Sequence, residues 1–165
     1  DPKAQEFVRD LLRNKGGDLY TTHFATDDPR LGLELLDALG EGDIVALQGD
    51  RPRSGGAVAD VRLFGRPFSI PVGPFALARL AGVPVVPVFM FREGRRRYRL
   101  TFRDPIRVES GVPRKAAIAA AAEAFAADLE WAIGRNPHQW FCFGELWPRG
   151  EPVRADPGPQ SARST

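Results

Sequence analysis

Five side chains in this sequence are of the right types, and in the right places, to grip an anion. Gln48, Asp50, Arg51 and Arg53 lie in the loop Gln48-Gly49-Asp50-Arg51-Pro52-Arg53, which follows the apolar stretch Ile44-Val45-Ala46-Leu47. Arg92 ends a second apolar stretch that runs from Val83 to Phe91. A guanidinium holds a phosphate or carboxylate through two parallel N–H groups, and a carboxylate in the same loop orients the cations. Charged loops at the ends of buried strands are where α/β proteins place their ligand chemistry. The plainer alternative is a solvated loop with a local ion pair, and spacing alone does not separate the two.

Proton transfer has a candidate of its own. Four residues separate His23 from Asp28. In that arrangement an imidazole can take the proton of an attacking hydroxyl while the carboxylate holds its tautomer. Asp28 is also placed to cap a helix whose first position is Pro29, and the structural role is the leading reading. His138 follows a helix stop and reads as a surface or packing residue. One cysteine, Cys142, and two histidines exclude an intramolecular disulfide and argue against a zinc site, so no metal is expected. Cys142 is expected as a small core residue beside aromatic rings.

These residues need elements to hold them. Phe7, Val8, Leu11 and Leu12 give Pro2 to Asn14 the spacing of an amphipathic helix, and Leu19 to Ala25 reads as a short strand. Leu31, Leu35, Leu36 and Leu39 form the stripe of the helix after Pro29. The continuous apolar run from Asp43 to Leu47 predicts a strand buried on both faces. Ala57 to Phe64 alternates as an exposed strand does, and Phe68 to Pro71 continues extended after the Gly65-Arg66-Pro67 turn. A helix runs from Gly73 to Leu80, stopped by Gly82. Val83 to Phe91 reads as a second buried strand, bulged or paired on one side at its two prolines. Gly94 turns the chain into Tyr98 to Arg103, with Ile106 to Val108 continuing that edge. Lys115 to Ile133 is the longest helix, halted at Asn136-Pro137 and followed by Trp140, Phe141, Phe143 and Trp147. This alternation predicts an α/β fold with a mixed, largely parallel sheet flanked by helices.

At 165 residues with 43% hydrophobic content, the chain is long enough for a core of its own. A tail rich in Pro, Gly, Ser and Arg, residues 148–165, is expected to be disordered, which leaves residues 1–147 as the folded domain. No apolar run is long enough to span a membrane, and no signal peptide is visible. The net charge is only +2, and lysine occurs just at 3, 15 and 115. A GC-rich genome accounts for the arginine bias. A surface for phosphate or carboxylate groups is the functional alternative. Arg95, Arg96, Arg97 and Arg99 around the Gly94 turn read as a solvated basic patch suited to anionic lipid or another polyanion. Aromatics do not interleave with these arginines, so a nucleic-acid partner is not expected.

The order of the motifs resembles a known family. After the helix at Ala4–Arg13 come GDIVALQGDRPRSGGAV over residues 42–58 and LFGRPFSIPVGPFALARLAGVPVVPVFMFRE over 63–93. YRLTFRDPI over 98–106 and RNPHQWFCFGELW over 135–147 complete the series. From Pro2 to Trp147 this is similar to the bacterial lysophospholipid acyltransferase family that includes the lipid A biosynthesis lauroyl and myristoyl acyltransferases. By that resemblance Gln48-Gly49-Asp50-Arg51 takes the place of the family's Pro-Asp-Gln-Asp-like loop, which helps to form the acceptor or donor site. Phe64-Gly65-Arg66-Pro67 resembles its Phe-Phe-Gly-x-Pro turn, and Val86-Pro87-Val88 with Arg92 resembles its Val-Pro-Val…Arg strand.

The resemblance implies a glycerolipid-acyltransferase-like fold. It implies transfer of a fatty acyl chain from acyl carrier protein or coenzyme A to a hydroxyl of a lipid acceptor, lipid A or lysophospholipid-like. Gln48, Asp50, Arg51, Arg53 and Arg92 would bind substrate, the acyl thioester would be a co-substrate, and no further cofactor is implied. The family's catalytic His-x-x-x-x-Asp/Glu and its membrane anchor precede the first helix. The chain opens at Asp1 and has its one methionine at Met90, so it is expected to be the C-terminal part of such an enzyme, peripheral to the cytoplasmic face of the inner membrane. The alternative is a non-catalytic domain that binds anionic lipid or a membrane surface.

Overall fold

A computed structural model describes Glu6, Asp10 and residues 30–52 and 55–142. The chain divides into two compact units, residues 1–45 and 46–165. In the first, Glu6 and Asp10 are helical, and α1 spans Arg30–Gly40. That helix carries the leucine stripe which its spacing predicts. The rest of the expected first helix, the strand at residues 19–25 and the tail at 148–165 lie outside the described residues.

The second unit is mixed α/β. Strands β1 (Val58–Leu63) and β2 (Arg66–Pro71) are followed by α2 (Gly73–Ala81), and β3 (Val88–Gly94) and β4 (Arg97–Phe102) precede the long α3 (Arg114–Arg135). A short 3-10 turn, Pro137–Gln139, closes the series.

The expected parallel sheet is corrected by the strand pairing. Among the described residues β1 pairs antiparallel with β2, β3 pairs antiparallel with β4, and the two pairs are separate sheets. Two-residue connections force this outcome, because a tight turn can only return the chain antiparallel to itself. Phe64 and Gly65 both take positive φ, 52° and 70°, which suits the right-handed twist of the flanking strands. Phe64 tolerates this because its N–H donates to the Glu130 carboxylate of α3 at 2.5 Å. In the second hairpin the turn falls on Arg95-Arg96, one residue beyond the expected glycine, with Arg96 at φ 66°. α2 supplies a crossover between β2 and β3, yet those two strands do not pair.

Two further expectations change. Residues 43–47 form no strand, and Ile44 is 95% exposed, because no described segment offers this stretch a ladder to join. The predicted strand from Val83 is regular only from Val88 onward. Pro84 and Pro87 have no N–H to donate, so the stretch before Val88 keeps a single bridge, Val85 with Ile106. The Pro87 carbonyl still accepts from the Arg103 N–H at 2.9 Å.

The core lies between the first hairpin and α3. Val61, Leu63, Phe68 and Ile70 alternate inward from β1 and β2. Opposite them α3 presents Ile118, Leu129 and Ile133 among the buried alanines 117, 121, 122, 126 and 132. Phe75 of α2 fills the space beside Phe125, their ring centroids 6.1 Å apart in an edge-to-face arrangement. α2 ends at Gly82, whose φ of 68° is a left-handed cap that a side chain would strain. The second hairpin reaches α3 through Trp131, which meets Phe89 and Phe91 and also carries the Arg103 guanidinium 4.3 Å above its ring. Arg103 donates to Asp128 at 2.6 Å, a part-buried pair that fixes the end of β4 to the helix.

Leu63 is fully buried and Leu100 of β4 is 57% exposed. Leu63→Ala is therefore expected to cost about 3 kcal/mol in chemical denaturation, and Leu100→Ala within about 0.5 kcal/mol of zero.

Candidate functional site

The geometry brings two of the sequence's candidate regions to one short segment. The Arg51 Nε donates to Asp50 Oδ2 at 3.1 Å, and its Nη1 donates to the Phe141 carbonyl at 3.0 Å. The same Asp50 Oδ2 accepts the indole N–H of Trp140 at 3.2 Å. One residue earlier, the Gln139 Oε1 accepts the backbone N–H of Arg92 at 2.7 Å, and its Nε2 donates to the Arg92 carbonyl at 3.0 Å. Gln139 and Trp140 are chain neighbours, so the glycine loop and the end of β3 are held at one place.

Local sequence explains why the segment can do this. Asn136-Pro137 ends α3 and turns the chain, because proline cannot continue the helical ladder. The next residues are thereby freed to spend their side chains on distant backbone. Trp140 is steadied on its other side by Phe68 of β2, with ring centroids 6.4 Å apart and near edge-on. The loop is pinned from below as well. A Cβ on Gly49 would stand 3.2 Å from the Phe125 Cζ, so glycine lets the loop lie directly on that ring. Phe125 in turn stacks on Phe89 of β3 at 6.5 Å.

Four of the five expected site residues are among the described ones. Asp50 is half-buried and accepts from both Arg51 and Trp140. Arg51 is half exposed and commits two of its five N–H donors to described partners. Gln48 is exposed in the same loop. The Arg92 side chain is exposed, with its Nε on the Gly94 carbonyl at 3.1 Å. Arg53, His23 and Asp28 lie outside the described residues. His138 is exposed in the 3-10 turn, and Cys142 is half-buried rather than in the core. Among the described residues no three His, Cys, Asp or Glu side chains gather as a metal site.

Gln139 and Trp140 are the residues that sequence reasoning did not single out for this role. Their signal is modest: an amide and an indole directly after a helix stop, where neither is needed to continue a periodic core. Chemically, the arrangement is a loop whose Arg51 is paired with Asp50, tied through residues 139–141 to a strand end whose Arg92 has no carboxylate partner among the described residues. Guanidinium groups of this kind can pair with a phosphate or carboxylate.

The model of the bacterial lipid A biosynthesis acyltransferase family matches residues 29–149, which contain this whole arrangement. No curated protein matches the chain.

Trp140→Phe keeps the ring against Phe68 and removes only the N–H that Asp50 accepts. It is expected to destabilise the protein by about 1 kcal/mol and to speed amide exchange at residues 49–51 more than in β1. Unchanged exchange in the loop would count against the tie.

Proposed function

Because the chain belongs to the bacterial lipid A biosynthesis acyltransferase family, we propose that it takes part in moving a fatty acyl chain from a thioester to a lipid hydroxyl. The donor is acyl carrier protein or coenzyme A, and the acceptor is a lipid A precursor or a related lysolipid. The hydroxyl oxygen attacks the thioester carbonyl and forms the new C–O bond. The tetrahedral oxyanion then collapses, the C–S bond breaks, and the thiolate leaves to take up a proton. A general base must accept the hydroxyl proton, and N–H donors must hold the oxyanion.

In this reading Gln48, Asp50, Arg51, Arg53 and Arg92 form the part of the site that binds phosphate. Donor and acceptor both carry such a group, on the phosphopantetheine arm and on the lipid. The observation that supports it is the shared anchorage of the loop and of Arg92 on Gln139 and Trp140. A loop and a strand end whose backbones are already held do not have to be ordered when the anion arrives, and so lose less entropy on binding. The base lies outside the described residues, where His23 with Asp28 is the candidate in this sequence. His138, the one histidine among the described residues, is exposed and pairs with no carboxylate there.

Arg92→Ala removes a side chain while leaving its two backbone ties to Gln139 in place. It is expected to weaken binding of dodecanoyl-coenzyme A, or of a phosphorylated lipid A precursor, by roughly tenfold or more, measured by calorimetry. Unchanged affinity for both would remove Arg92 from the site.

A further inference from the structure

The second hairpin has two chemically different faces. One carries Phe89 and Phe91 and rests on Trp131 and Phe125 of α3. The other carries the cross-strand pairs Val88 with Phe102, Met90 with Leu100, and Arg92 with Tyr98. Its apolar members are open: Met90 is 63% exposed and Phe102 66%. Directly paired side chains on one face of a ribbon lie side by side, so these residues form one continuous strip rather than scattered surface hydrophobes.

The strip leads to a turn of unusual charge. From Val88 to Arg103 the hairpin has six arginines against one glutamate. Glu93 takes up Arg97 and Arg99, and Arg103 sits on Asp128 and Trp131. Arg95 and Arg96 occupy the turn itself, exposed, with no partner among the described residues. An apolar strip alone would suit any apolar partner, and two uncommitted cations at its end favour one whose surface is anionic. An interface that is apolar in depth and anionic at its surface needs both, with the arginine stems lying along the apolar layer and their heads among the phosphates.

We propose that this face of the hairpin is a membrane-contact surface, with Met90, Leu100 and Phe102 entering the lipid interface and Arg95 and Arg96 holding anionic headgroups. The contact is separate from the phosphate-binding role of the Gln48–Arg51 loop and does not depend on acyl transfer. It would bring the strand end that carries Arg92 to the height of the headgroups, since Arg92 shares the strip.

The test is co-sedimentation of the full 165-residue chain with vesicles of phosphatidylglycerol and phosphatidylcholine in equal parts, against phosphatidylcholine alone. The chain is expected to bind the anionic vesicles, and to bind them less as salt rises. Arg95→Ala with Arg96→Ala touches no core residue and is expected to lower the partition coefficient about 30-fold, some fivefold per arginine. Leu100→Ser with Phe102→Ser is expected to lower it about tenfold or more at unchanged circular dichroism. A thiol reagent on Met90→Cys, in a Cys142→Ser background, should react freely in solution and be blocked on vesicles. Absent vesicle binding, or binding that survives both double variants, overturns the proposal. So does a thiol already protected in the free chain, which means that protein covers the strip; light scattering then tells a second copy from the chain's own residues.

Discussion

The close approach of an alanine-lined helix to a two-stranded hairpin is the constraint on which the rest of the second unit depends. Ala117, Ala121, Ala122, Ala126 and Ala132 are all buried on α3, and Ala122 has no exposed surface at all. Small side chains let the helix axis come close to β1 and β2, while Ile118, Leu129 and Ile133 fill the space between the alanines. A larger residue among those alanines would force the layers apart, because a packed interior has no slack for added volume. The approach also positions Glu130 to hold the positive-φ turn of the first hairpin. Helix and hairpin thus fix one another.

The site inherits its geometry from that packing. Phe125 projects from α3 between Phe75, Phe89 and the Gly49 loop, so one ring supports two of the elements that carry candidate ligands. Where α3 stops decides where residues 136–142 begin, and that segment reaches both the loop and the end of β3. The second hairpin is less constrained. Its inner face is held by Trp131 and Asp128 and the Arg92 backbone by Gln139, while the apolar residues of its outer face are exposed. Family membership gives the acyl-transfer reading its chemistry.

Much of the fold was legible because its signals are local. Leucine spacing and Pro29 marked α1, Gly73-Pro74 and Gly82 bounded α2, and Asn136-Pro137 ended α3. Strands were harder, since an apolar run says that a segment wants burial and not which neighbour it will find. Residues 43–47 show this: the same run that predicts a doubly buried strand has no described partner and leaves Ile44 in the open. The parallel reading failed for a related reason, because turn geometry at Phe64-Gly65 and Arg95-Arg96 outweighed the βαβ-like order of elements. Of the site, Asp50, Arg51 and Arg92 could be named from residue type and position at the ends of apolar runs. Their anchors could not, because hydrogen bonds across 47 and 90 residues leave no periodic trace in the chain.

The central claim is that the glycine loop and the end of β3 form one binding site. Amide NMR of the full chain, titrated separately with dodecanoyl-coenzyme A and with a phosphorylated lipid A precursor, tests it most directly. One of these ligands is expected to shift the amides of residues 49–51 and 91–93 together, along a single dissociation constant. Shifts confined to one of the two segments, two different constants, or no shift with either ligand would contradict it.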